Sequence, residues 1–225
     1  MSQYGKTAII VGATGMVGTY LLHHLAFDDQ YAKFVILSRG PLNAVHYKIE
    51  HEVVNFDRLN PALVKGHDLY CALGTTRRKA GSKEAQYKMD CTYPYEIAKA
   101  AKANGVEKFM LVSTLGADPQ SSNFYLRTKG ELEEKLKALQ FDNLIIARPS
   151  IMIGKRKEFR LGEKIGIWFS YLIWPFLLGS WRKYRFVHAR RVAAALVISA
   201  SYDLKGVDII ESDRIQSFNP EHYHY

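Results

Sequence analysis

Near its start the chain reads Thr7-Ala8-Ile9-Ile10-Val11-Gly12-Ala13-Thr14-Gly15-Met16-Val17-Gly18. Thr7–Val11 predicts a first strand and Val17–Phe27 a first helix, with a G-x-x-G-x-x-G turn between them. Gly12 permits the tight turn, Gly15 lets backbone approach an anion where a Cβ would intrude, and Gly18 lets the helix pack closely on the sheet. The first N–H groups of a helix have no partner inside it and sit at the positive end of its dipole. Thr14, Met16 and Val17 therefore join the three glycines as expected contacts of a dinucleotide pyrophosphate. A lone glycine triplet says little; this one lies between the first strand and the first helix, where that cradle belongs.

Downstream, strands are predicted over Phe34–Ser38, Glu52–Phe56, Asp68–Leu73, Lys108–Ser113 and Leu144–Ala147. Helices are predicted over about Lys83 to Asn104, stopped by Asn104-Gly105, and over Phe124–Leu139. Such alternation marks a parallel sheet with crossover helices, so the expected class is α/β: a Rossmann-type, doubly wound parallel sheet with helices on both faces. A helix over Arg190–Ser201 and a short strand over Val207–Ile210 follow, while Gln216–Tyr225 shows no assignable pattern. With no repeat or linker, residues 1–225 read as a single domain, residues 150–225 forming a small substrate-side extension. Ile165–Trp181 is uncharged and aromatic, but it is shorter than the roughly 20 residues of a membrane helix and is broken by Gly166, Pro175 and Gly179. It is expected to cover the sheet's end or a substrate pocket; a dimer contact or a peripheral membrane contact is the alternative.

The 225 residues are 48% apolar and 24% charged, ordinary for a globular chain, with a net charge of +9. That excess favours anionic partners without choosing among them. Arg77-Arg78-Lys79 and Lys155-Arg156-Lys157 read as solvated surface, and with no recognition motif, nucleic acid is not an expected partner. Cys71 and Cys91 match no metal or redox spacing, and His23-His24 and His188 have no ligand-like neighbours, so no metal site is expected. The cysteine content and the lack of a signal-like start point to a cytoplasmic setting.

The second strand ends in Ser38-Arg39-Gly40. An acid there would accept from a ribose 2′-hydroxyl; a guanidinium instead pairs with a 2′-phosphate, so NADP(H) is expected over NAD(H). Asp57, after the third strand, is expected either to accept from the adenine amino group or to cap a helix before Leu59. Leu73-Gly74-Thr75 ends the fourth strand, at the carboxyl edge beside the cofactor.

Tyr125 and Lys129 stand four apart on one helical face. A free phenol titrates near 10 and is a poor acid–base group at neutral pH, but an adjacent ammonium favours the phenolate. Ser113, at the end of the fifth strand, offers a hydroxyl to orient a carbonyl or alcohol beside that phenol.

With these residues in place the chain resembles the atypical short-chain dehydrogenases/reductases, and within them the Tat-interacting-protein oxidoreductase group. The resemblance runs from Thr7 to about Arg160 and rests on Gly12–Gly18, Asn55-Phe56-Asp57, Leu73-Gly74-Thr75-Thr76-Arg77 with Lys79-Ala80-Gly81, Ser113–Asp118, Ser121-Ser122-Asn123, Tyr125–Glu131 and Arg148-Pro149. It implies an NADPH-binding Rossmann domain, as monomer or homodimer, with Tyr125 transferring the proton, Lys129 on the nicotinamide ribose, and Ser113 rather than Thr114 orienting the carbonyl. It further implies that Pro149, Ser150 and Met152 line the nicotinamide side and that Arg160 reaches the cofactor; Ser150 replaces the glycine usual after Arg-Pro. Beyond Arg160 the match fades, so substrate identity does not carry over. The function expected is hydride transfer to or from a small carbonyl or alcohol. The alternatives are an NADP(H)-binding sensor or partner-docking protein, and an epimerase or dehydratase, for which the chain after Arg148-Pro149 is short.

Overall fold

The computed structural model describes residues 5–42, 46–154 and 179–219. The strands are β1 (Lys6–Val11), β2 (Tyr31–Ser38), β3 (Ile49–Val53), β4 (Asp68–Cys71), β5 (Lys108–Val112), β6 (Asn143–Arg148), β7 (Met152–Ile153), β8 (Val187–His188) and β9 (Gly206–Glu211). The described helices are α1 (Met16–Ala26), α2 (Arg77–Ala80), α3 (Lys83–Tyr87), α4 (Tyr93–Ala103), α5 (Phe124–Ala138), α6 (Ala189–Ser201) and α7 (Ser212–Ser217), with a π turn, Lys88–Thr92, joining α3 to α4. Seven strands form one parallel sheet in the order β3-β2-β1-β4-β5-β6-β9, and β7 pairs with β8 apart from it.

Successive side chains of a strand point to opposite faces. Along β1, Ala8 and Ile10 enter one core with Val17, Leu21 and Leu25 of α1 and Val192 and Leu196 of α6. Ile9 and Val11 enter the other, with Ile97 and Ala101 of α4 and Leu132 and Leu136 of α5. Both faces are covered, which is why the central strands read as unbroken apolar runs. From β1 the chain winds outward through β2 to β3, then crosses back to β4 on the other side of β1. That reversal opens a crevice at the carboxyl ends of β1 and β4, where open α/β sheets bind ligands.

The third strand is Ile49–Val53, three residues earlier than the apolar pattern indicated. It is an edge strand and needs little apolar character: Val53 is exposed, while Val54 and Phe56, which drew the prediction downstream, are buried beyond the strand's end. The predicted Lys83–Asn104 helix is continuous but widens at the π turn. In the tail, α7 is an element the sequence pattern did not reveal. Ile165–Leu178 of the apolar segment, the Lys155-Arg156-Lys157 cluster and Arg160 lie outside the described residues. No helix among the described residues is long and apolar enough to cross a membrane.

Candidate nucleotide and proton-transfer site

The glycine turn sits at the crevice. Gly12 has φ +82°, and a Cβ there would lie 2.5 Å from the Ala72 carbonyl at the end of β4. Gly15 is the N-cap of α1 with no side-chain cap, and the first helical bond is Thr19 N–H to Gly15 O. The earlier amides of α1 thus have no acceptor within the helix. A Cβ at Gly15 would enter the crevice 3.1 Å from Gly12 O. At Gly18 a Cβ would come within 2.0 Å of Gly12 O, so the tight approach is of α1 onto its own turn rather than onto the sheet as expected. Gly12, Thr14 and Gly15 form one wall of a cleft of about 110 Å3. Its other walls are Leu37 and Ser38 at the end of β2 with Arg39, Phe56, Met89, and Ala72, Leu73 and Gly74 after β4.

Arg39 is exposed at the rim of this cleft. Ser38 is tied beneath it: its hydroxyl donates to Gly40 O at 2.6 Å and lies 2.7 Å from His51 Nε2. Asp57 is not the helix cap considered from sequence. The cap is Asn55, whose side chain accepts the Asp57 N–H at 2.9 Å. The Asp57 carboxylate pairs with Lys88 Nζ at 2.7 Å, and that hydrogen bond, with one from Tyr93, holds its pKa below the ordinary aspartate value. The cleft wall in this region is its neighbour Phe56.

Asn123 caps the start of helix α5, its side-chain Oδ1 accepting from the N–H groups of Tyr125 and Leu126. Tyr125 therefore stands half-buried in the first turn, and Lys129, one turn on, is buried at 2% exposure. Burial alone would pull the Lys129 ammonium down; Asp90, Tyr125 and the two cysteines overcome it and leave its pKa above the ordinary lysine value. Gly130 admits the preceding loop: a Cβ there would lie 2.3 Å from the Asp118–Pro119 peptide.

Ser113 is placed differently from the expectation. It is 3% exposed, and its hydroxyl donates to Glu133 Oε1. Glu133 is held in turn by Arg148, at 2.6 Å, and Arg148 reaches Glu211 at 3.1 Å. The neighbouring Thr114 is half-buried, and its hydroxyl has no hydrogen-bond partner among the described residues. In the stretch expected from sequence to line the nicotinamide, Pro149 O accepts from Leu115 N–H, Ser150 N–H donates to Ser212 Oγ, and the Ser150 hydroxyl donates to Arg185 O. Ser150 thus spends both polar groups on the fold. Met152, like Met16, is partly buried and packs against the α1 core.

Two functional candidates escaped the sequence reading. Glu133 follows Lys129 by one helical turn, and Asp90 interrupts a buried Met89-Asp90-Cys91 run. An acid on the apolar face of a helix was the available signal for both.

Comparison with known proteins agrees with this geometry. A family model described as NAD(P)H-binding matches residues 12–165. Protein HTATIP2 of Rattus norvegicus is 37% identical over 183 residues, covering 78% of this chain and 73% of that protein. The mitochondrial protein FMP52-1 of Scheffersomyces stipitis is 40% identical over 163 residues, covering 67% of this chain and 69% of that one. In fold, the chain is similar to MoeE5 in complex with UDP-glucuronic acid and NAD, with TM-score 0.70, 17% identity and coverage of 92% and 76%. It is also similar to Bordetella bronchiseptica WbmH in complex with NAD+, with TM-score 0.68, 17% identity and coverage of 93% and 76%. The cytoplasmic setting expected from sequence is overturned: the FMP52 relatives from several fungi are named as mitochondrial. Cysteine content reports only that thiols stay reduced, a condition other compartments share.

Proposed function

Because the chain belongs to the NAD(P)H-binding family of atypical short-chain dehydrogenases/reductases, we propose that it is an NADP(H)-dependent oxidoreductase acting on a small carbonyl or alcohol. The observation that carries the reading is the crevice itself. A glycine turn that a Cβ would fill opens onto the free amides of α1, and the turn after β4 faces it across the cleft. These residues fit a dinucleotide: the amides of α1 take the pyrophosphate, and Phe56 walls the adenine side with Asp57 beside it. Arg39 takes the 2′-phosphate above Ser38, whose hydroxyl is held by Gly40 O and His51, and no acid lines the cleft there to repel it.

When bound, the nicotinamide supplies or accepts the hydride. The chain's own residues handle the proton. Tyr125 donates it to, or takes it from, the substrate oxygen, and Lys129, buried one helical turn on, is the ammonium that stands behind it. The hydroxyl that orients the substrate oxygen is better supported at Thr114 than at Ser113, since Ser113 is committed to Glu133. Pro149 and Met152 remain on the nicotinamide side, and Thr75 anchors the turn after β4.

Titration with NADPH and NADH tests the cofactor assignment. NADPH is expected to bind at least tenfold more tightly, and Arg39→Glu to abolish the preference; equal affinities in the native chain would remove it. A panel of aldehydes, ketones and quinones tests the chemistry. Tyr125→Phe is expected to lose at least about 100-fold in kcat, and Thr114→Val more than Ser113→Ala. No turnover above Tyr125→Phe would leave a dinucleotide sensor.

A further inference from the structure

We propose that Asp90 is a positioning residue of this site, holding the Leu73–Gly74–Thr75 turn through one carboxylate oxygen and supplying the counter-charge for the buried ammonium of Lys129. The inference rests on the cofactor reading above for what the turn and the lysine serve. Asp90 sits in the π turn Lys88–Thr92, inside the helical run that follows the cofactor turn. Single π turns within α-helices sacrifice regular hydrogen bonding and recur at functional sites. The residue is 0% exposed, between buried Met89 and Cys91.

A buried carboxylate costs several kcal/mol unless charge and hydrogen bonds compensate it. Two features of the site do so. Oδ1 accepts the Thr75 N–H at 2.9 Å and lies 3.5 Å from where a Gly74 Cβ would stand, so it grips the turn whose Leu73 and Gly74 line the cleft. The second is Lys129, equally buried, whose hydrogen bond among the described residues is a long one to Val112 O at 3.5 Å. Asp90 and Cys91 from the π turn, Tyr125 from α5 and Cys71 from β4 act on its ammonium; Asp90, as buried as the lysine, is the carboxylate among them and acts across a gap, not as a contact ion pair within 4 Å. Asparagine could accept from Thr75 as well; the charge is explained by the lysine. Burial pushes the Asp90 carboxyl up, and Lys129, the Thr75 N–H and the Gln86 side chain oppose it.

Two variants separate the roles. Asp90→Asn keeps an acceptor for Thr75 and removes the charge; Asp90→Ala removes both. NADPH binding is read by fluorescence, and the Lys129 titration by NMR of 13C-lysine-labelled protein, assigned with Lys129→Arg. Asp90→Asn is expected to bind NADPH within about twofold of the native chain at pH 7, with the Lys129 midpoint lowered by about one unit or more. Asp90→Ala is expected to lose about tenfold in NADPH affinity as the turn is released. An unchanged Lys129 midpoint in Asp90→Asn, or native NADPH affinity in Asp90→Ala, overturns the proposal. Asp90→Asn is isosteric and carries the decision should Asp90→Ala not fold. If the native chain bound neither NADPH nor NADH, the cofactor reading would fall, and the lysine titration alone would decide the counter-charge.

Discussion

Two glycines of the phosphate turn differ in what a methyl group would do to them. At Gly18 the added Cβ would meet Gly12 O at 2.0 Å, a backbone atom that moves only if the turn comes apart. At Gly15 the same atom stands 3.1 Å from that oxygen and needs a shift of a few tenths of an ångström, but it enters the space an anion would occupy. Gly18→Ala is therefore expected to destabilise the fold by at least about 1–3 kcal/mol and to lower NADPH binding with it. Gly15→Ala is expected to leave stability within about 1 kcal/mol while weakening NADPH at least tenfold. Urea unfolding and fluorescence titration of the two variants check the split; equal losses of stability would show that both glycines serve the fold alone.

Helices and strands are tied here by a few buried polar groups, and pH acts through them. His24 of α1 is 0% exposed, with Nε2 3.3 Å from Arg190 O of α6, and burial lowers its pKa to about 4. Between that value and the roughly 6.5 of the unfolded chain, the unfolded state binds more protons, so stability is complete above pH 6.5 and falls as pH drops towards 4. The loss amounts to about 3 kcal/mol, and His24→Gln is expected to flatten that limb of stability against pH. At the other end of the sheet, Glu133 of α5, Arg148 of β6 and Glu211 of β9 form a chain of ion pairs, with the Glu133 side chain 1% exposed. Arg148→Met strands that carboxylate and is expected to cost about 3–5 kcal/mol. Adding Glu133→Gln to Arg148→Met removes the stranded charge and should recover most of the loss; a double variant as unstable as Arg148→Met would disprove the charge-burial account.

On the scale of the whole molecule, both cores share one seven-stranded sheet. One cooperative unfolding transition is then expected, and NADPH at 100 times its Kd should add about 2.7 kcal/mol, raising Tm by roughly 5–10 °C. Two resolved calorimetric transitions would argue for separable units. The class of fold and the phosphate turn were legible in the chain because they are local. A buried parallel strand is an apolar run, and a turn at φ +82° calls for glycine whatever surrounds it. Tyr125 and Lys129 were legible for the same reason, since helical spacing alone puts them on one face. What the sequence could not determine is which partner a side chain takes across the molecule. Ser113, at a strand end before the helix, carried no local mark of its commitment to Glu133 twenty residues away. Nor did Asp90 carry any mark of the Thr75 amide or the Lys129 charge. Spacing along one element fixes direction, whereas a hydrogen bond or a Coulomb pair depends on distances between elements, and only the packed sheet and helices set those.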